Sequence, residues 1–133
     1  MVGYDLLIVD DQAGVRRLLY EVFLVEGYLV DMASSGAEAV QKVCERKPQV
    51  VLLDHRMPVM SGLETARKIR EVNQEVPIIM MTAYNETGVF TEAKKTGVNY
   101  CFNKPFDVAE IRCLVKALVE EKRFSEGYLE EIV

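Results

Sequence analysis

The chain has 133 residues, half of them apolar and 28% charged, with a formal charge of −5. That is enough for one domain with an ordinary core, and the acidic balance argues against general nucleic-acid binding, because no basic stripe is present to neutralise phosphates. No stretch reaches the length of a membrane span, and the start lacks the basic-then-apolar order of a signal peptide. The expectation is a cytoplasmic protein that does not enter a membrane.

Strand and helix signals alternate along the chain. Leu6-Leu7-Ile8-Val9 is an apolar run that ends in Asp10 and Asp11. Val15, Leu18, Leu19, Val22 and Phe23 then recur at helical spacing, and Gly27 fits a left-handed stop. Residues 28–32 make a short second strand. Ser35 caps a helix with Ala37, Val40 and Cys44 as its apolar face; Glu38 completes a capping box, and Pro48 closes the segment.

Val50-Val51-Leu52-Leu53 runs straight into Asp54, His55, Arg56 and Met57-Pro58. Four consecutive apolar residues suit a strand buried on both faces, as in a parallel sheet covered by helices. Ser61 caps a third helix with Leu63, Ala66 and Ile69 inward and Glu64 as box partner. Residues 76–81 form a fourth strand ending at Thr82-Ala83, residues 85–95 a weaker helix stopped by Gly97, and residues 98–102 a fifth strand ending at Asn103-Lys104-Pro105-Phe106. Asp107 caps a last helix that places Ile111, Leu114, Val115 and Leu118 at i, i+3, i+4 and i+7. Strands separated by helices through short connections predict right-handed βαβ units and an α/β doubly wound parallel sheet.

The chemistry gathers at the strand ends, where open α/β sheets place their ligands. Asp10, Asp11 and Asp54 would converge on one edge with Thr82 and Lys104. Three carboxylates disfavour their shared ionisation unless a cation joins them. Oxygen-only ligands suit a hard divalent ion, and so few of them favour Mg²⁺ over Ca²⁺. Asp54 is then a nucleophile for an aspartyl-phosphate, with Lys104 and Thr82 placed to neutralise phosphoryl oxygens. Taken singly, Asp11 passes for a helix cap and Lys104 for a surface lysine; their conjunction at four strand ends reads as a phosphoryl acceptor.

These residues carry a resemblance. Val9-Asp10-Asp11, Asp54 with Met57-Pro58 and Ser61-Gly62, Thr82-Ala83 and Lys104-Pro105-Phe106 together resemble the response-regulator receiver domain of two-component signalling, over roughly residues 4–122. Asp11-Gln12, Glu21-Val22-Phe23, Glu26-Gly27-Tyr28, Met81-Thr82-Ala83-Tyr84 and Lys104-Pro105-Phe106-Asp107 are similar to the single-domain phosphorelay intermediates of sporulation. The resemblance implies a flavodoxin-like five-stranded sheet of order 2-1-3-4-5. It also implies that a sensor histidine kinase phosphorylates Asp54 and that the phosphoryl group passes to a downstream phosphotransfer protein. Mg²⁺ would be held by Asp11, Asp54 and the backbone carbonyl of Arg56, with Asp10 acting through water. Lys104–Pro105 would be cis.

Within that frame, Val15 and Leu18 read either as a broad core face or as a patch that docks a partner helix, rimmed by Gln12, Gly14, Tyr84 and Phe106. Arg56 and Tyr84 would border the route of attacking water. Many receivers carry an aromatic switch three residues before the site lysine; here that residue is Cys101. The odd number and wide spacing of Cys44, Cys101 and Cys113 suit neither a disulfide framework nor a metal site, so they read as reduced thiols. His55 follows Asp54, and strand alternation turns it from the acidic face.

Residues 1–122 are expected to form the receiver, acting as a monomer, and residues 123–133 a frayed extension. With no output domain after the last helix, signalling would pass through phosphotransfer or, as in chemotaxis-like receivers, through phosphorylation-dependent binding. A dehalogenase-type phosphatase would need a second Asp where Arg56 stands, and a flavin carrier would need a phosphate loop after the first strand.

Overall fold

A computed structural model describes residues 3–83 and 88–123, and the expectations for Tyr84 and for the extension from residue 124 lie outside them. Strands and helices alternate: β1 (Leu6–Val9), α1 (Ala13–Val25), β2 (Val30–Ala33), α2 (Gly36–Arg46), β3 (Val50–Asp54), α3 (Gly62–Val72), β4 (Ile78–Ala83), α4 (Val89–Thr96), β5 (Tyr100–Lys104) and α5 (Val108–Arg123). All pairings are parallel and the order is β2-β1-β3-β4-β5. This is the expected doubly wound α/β architecture.

Side-chain alternation builds the core on both faces of the sheet. Leu7, Val9, Val51, Leu53, Ile78 and Met80 meet Ala39 and Val43 of α2, Ala66 and Ile69 of α3, and Val89 and Ala93 of α4. Leu6, Ile8, Val50, Leu52, Ile79 and Met81 meet Leu19 and Phe23 of α1 and Ile111, Val115 and Val119 of α5. Every residue of β3 is buried.

Three strands begin later than the apolar runs suggest, and each shift has a local cause. Tyr28 donates its N–H back to Phe23 at the end of α1, and Leu29 N–H goes to the Asp5 carboxylate, so the β2 ladder starts at Val30. Val98 likewise donates to Ala93 behind the left-handed Gly97, a helix-closing bond that delays β5 to Tyr100. Pro77 has no N–H to give a ladder, and β4 starts after it. These shifts carry β5 through to Lys104, placing the lysine on the strand rather than past it.

One helix face also differs from expectation. α2 turns Gly36, Ala39 and Val43 inward, with Val40 half-buried, while Ala37 and Cys44 are exposed. The glycine lets α2 close on α3, since a Cβ there would run into the Thr65 Oγ1 of α3, and into the Met60 Sδ at 2.8 Å. Ser35 and Ser61 cap α2 and α3 as expected, accepting from the N–H groups of Glu38 and Glu64, each at 3.2 Å. The return reach of Glu38 goes to the N–H of Ser34, one residue earlier than a strict capping box. Such caps contribute about 1 kcal/mol each. Among the described residues, no helix is long and apolar enough to cross a membrane.

Candidate functional site

The carboxyl ends of β1, β3 and β5 meet at one edge of the sheet. Asp54 is the last residue of β3 and 3% exposed; its Oδ1 lies 2.7 Å from the Lys104 Nζ at the end of β5. Asp10, just past β1, has no exposed surface, and its Oδ1 accepts the N–H of Gln12 at 2.9 Å. Asp11 is exposed. One carboxylate oxygen from each of Asp10, Asp11 and Asp54 lies within 4.8 Å of the others. A cleft of about 480 Å³ opens over this cluster, lined by Asp11, Gln12, Asp54, Arg56, Met57, Pro58, Ala83 and Lys104.

Burial and mutual repulsion outweigh Lys104 in the electrostatics of Asp10 and Asp54. Burial pushes the Asp10 carboxyl above the ordinary range, with Asp54 and Asp11 pushing the same way; the Gln12 N–H and Lys104 relieve it. Asp54 is also raised, by burial first and by Asp11, even though Lys104 touches it. Among the described residues, Asp10 Oδ2 and Thr82 Oγ1 are buried at this edge with no hydrogen-bond partner, and Thr82 is 1% exposed. A buried, unpaired carboxylate oxygen inside an all-oxygen donor set fits a hard divalent cation. The unpaired hydroxyl is free to donate to an anion beside it.

Backbone packing fixes where Asp54 stands. Gly62, the first residue of α3, lies so close to β3 that a Cβ there would sit 2.5 Å from the His55 Cα and 2.6 Å from the Asp54 carbonyl oxygen. Its N–H donates to the His55 carbonyl at 2.7 Å, and Met57 N–H donates to the same oxygen at 3.1 Å. His55 is half-buried and holds this loop through its main chain. Arg56 is exposed at the cleft, and Lys104–Pro105 is cis, as the resemblance implies.

The residues expected to form a partner face lie on α1 and beyond β5. Gln12 and Gly14 are exposed, Val15 and Phe106 are half-buried, and Leu18 is 57% exposed. α1 buries only Leu19 and Phe23, so Leu18 belongs to the solvent side of the helix. Cys101 is half-buried against the α2–α3–α4 face, with its thiol pushed up to about 11 by burial. Phe102 turns to the opposite face.

Reading the sequence alone did not single out Arg16, which donates from Nη1 to the Asp10 carbonyl at 2.7 Å. A signal was present: a cation in the first turn of a helix opposes the helix dipole and calls for a nearby acceptor.

The response regulator receiver domain model matches residues 6–116. Sporulation initiation phosphotransferase F of Bacillus subtilis (strain 168) is 42% identical over 116 residues, spanning 87% of this chain and 94% of that protein. Regulatory protein AtoC of Escherichia coli (strain K12) is 36% identical over 115 residues; the alignment covers 86% of this chain and 25% of that longer protein. Among solved structures, a response regulator receiver domain protein (CheY-like) from Methanospirillum hungatei superposes with a TM-score of 0.84 at 24% identity, over 96% of this chain and 100% of that one. At that identity the superposition shows the fold.

Proposed function

The chain belongs to the response regulator receiver domain family, and we propose that it works as a phosphorelay intermediate, taking a phosphoryl group onto Asp54 and handing it on. One observation carries this reading: a buried carboxylate at a strand end touches a lysine and stands within 4.8 Å of two further carboxylates. The likeness to a sporulation phosphotransferase across almost that protein's whole length favours relay over a purely binding output.

In the proposed reaction an Asp54 oxygen attacks the phosphorus of a phosphohistidine on a sensor histidine kinase. The P–O bond forms as the P–N bond breaks, and the kinase imidazole leaves and takes up a proton. Mg²⁺ held by Asp11, Asp54 and the Arg56 carbonyl, with Asp10 acting through water, would neutralise charge on the phosphoryl oxygens. Lys104, already on Asp54, pairs with the transferred group, and the unpartnered Thr82 hydroxyl donates to it. The return step to a phosphotransfer histidine reverses these moves. Catalysis here is positioning and charge, so a rigid strand end serves it.

Gln12, Gly14, Val15, Leu18 and Phe106, joined by Tyr84, form the proposed docking face for kinase and phosphotransfer helices. Exposed Leu18 is its apolar anchor. Residues 1–122 act as the receiver, with residues 123–133 as an extension, in a cytoplasmic monomer.

The test follows radiolabel from a phosphorylated histidine kinase to the full chain and on to candidate phosphotransfer proteins, with and without Mg²⁺. Label should reach wild type only with Mg²⁺, leave it when the phosphotransfer partner is added, and fail to reach Asp54→Asn. Equal labelling of Asp54→Asn would overturn the acceptor, and label that never moves onward would favour a binding output.

A further inference from the structure

Asp10 is held by the start of α1 through both its side chain and its main chain. Gln12 N–H takes Oδ1 at 2.9 Å, and Arg16 Nη1 takes the carbonyl oxygen at 2.7 Å. The ladders of β1 with β2 and β3 end at Val9, so this carbonyl lies beyond the last strand rung. Arg16 is the fourth residue of α1, whose first turn carries no acidic residue. A cation there is unfavourable for the helix alone. Its acceptor is the peptide that joins Asp10 to Asp11.

A peptide unit is rigid, so fixing the Asp10 carbonyl also fixes the plane from which Asp11 leaves. Asp11 needs such control more than its neighbours do: Asp10 and Asp54 are walled in by packing, whereas Asp11 is exposed.

We propose that Arg16 is a positioning residue whose clamp on the Asp10–Asp11 peptide sets the dimensions of the cation site and selects Mg²⁺ over Ca²⁺. The inference rests on the reading of this cluster as a divalent-cation site. Mg²⁺ demands short, near-octahedral oxygen contacts, while Ca²⁺ accepts longer and irregular ones. Stiff ligands discriminate between the two ions, and a loosened Asp11 gives up that discrimination. Charge alone predicts the reverse: Arg16 repels any dication, so removing it would tighten both ions together.

Isothermal titration calorimetry of the full chain with MgCl₂ and with CaCl₂ separates these effects. The proteins are wild type, Arg16→Ala, Arg16→Gln (which keeps an amide donor without the charge) and Asp54→Asn, each first melted in EDTA to establish folding. Arg16→Ala should bind Mg²⁺ about tenfold more weakly, the scale of an outer-shell partner. Its Ca²⁺ affinity should stay within about twofold, because that ion adapts to displaced ligands. Arg16→Gln should recover part of the Mg²⁺ preference. An unchanged Mg²⁺/Ca²⁺ ratio in both folded Arg16 variants, or equal tightening of both ions, overturns the role of Arg16 while leaving the site intact. Should Arg16→Ala fail to fold, the ratio in Arg16→Gln decides. A wild type that binds neither ion, or an Asp54→Asn that binds Mg²⁺ like wild type, overturns the site itself.

Discussion

Neutralising Asp10 should stabilise the metal-free protein. Its carboxyl has no exposed surface, and burial is the largest cause of its raised pKa. At an effective dielectric near 20, charges 4.8 Å apart, the spacing that bounds this cluster, repel by about 3.5 kcal/mol. Lys104 sits 2.7 Å from Asp54 and cancels most of that neighbour's field, while Asp11 is exposed and screened, so roughly 1 kcal/mol of repulsion survives. Relief of the buried charge contributes on the order of 2 kcal/mol more. Against this, the Gln12 N–H loses about 1 kcal/mol when its acceptor becomes neutral. Asp10→Asn should therefore gain roughly 2 kcal/mol, or about 6 to 8 °C in Tm for a chain of this size.

The pH dependence has a definite sign. A carboxyl whose folded pKa is raised keeps the folded state more protonated than the unfolded one, so wild-type stability falls as pH rises from the ordinary carboxylate range through the raised value. Thermal melts in EDTA across that range should show the decline in wild type and a shallower one in Asp10→Asn. Mg²⁺ should raise the wild-type Tm and raise that of the variant much less. A variant that melts at or below the wild-type temperature in EDTA at neutral pH would refute the reasoning.

Other residues give independent checks. Gly62→Ala drives a Cβ into the backbone of His55 and Asp54, so it should lose about 3 kcal/mol and take up label more slowly even where it remains folded; a melt within a degree of wild type would contradict the close approach. Val59 is fully exposed at φ 69°, a costly conformation for a β-branched residue, so Val59→Gly should gain about 1 kcal/mol in a denaturant titration, and a loss would refute the strain. The Cys101 thiol, pushed up to about 11, leaves only about 0.1% thiolate at pH 8, so it should react with a disulfide reagent far more slowly than exposed Cys44 and Cys113; three equal rates would contradict its burial.

Much of the architecture was legible because single residues carried clear signals. An unbroken run such as Val50 to Leu53 has one economical place, a strand covered on both faces, and Ser35 and Ser61 mark helix starts through bonds they make. Alternation of strands and helices implied a parallel sheet, while the strand order came with the family resemblance. What escaped was controlled by main-chain atoms. The late starts of β2 and β5 follow from N–H groups of Tyr28 and Val98 spent on closing helices, which hydrophobicity does not register. The α2 face slipped because Gly36, a residue that apolar counting ignores, is buried against Thr65 of α3.

The same distinction separates what could be read of the site from what could not. Asp10, Asp11, Asp54, Thr82 and Lys104 are visible because each brings unusual chemistry to a strand end. Arg16 is invisible by that rule, since it touches a carbonyl rather than a carboxylate. Yet among the described residues this one edge holds two carboxyls raised above their ordinary range and two buried oxygen atoms without partners. Such groups lower stability unless something binds there. On the proposed reading, these are the groups that a cation and a phosphoryl group would satisfy together. The proposed Arg16 clamp on Asp10 would belong to that arrangement, because a site that takes up ligands needs its own ligand atoms held before they arrive.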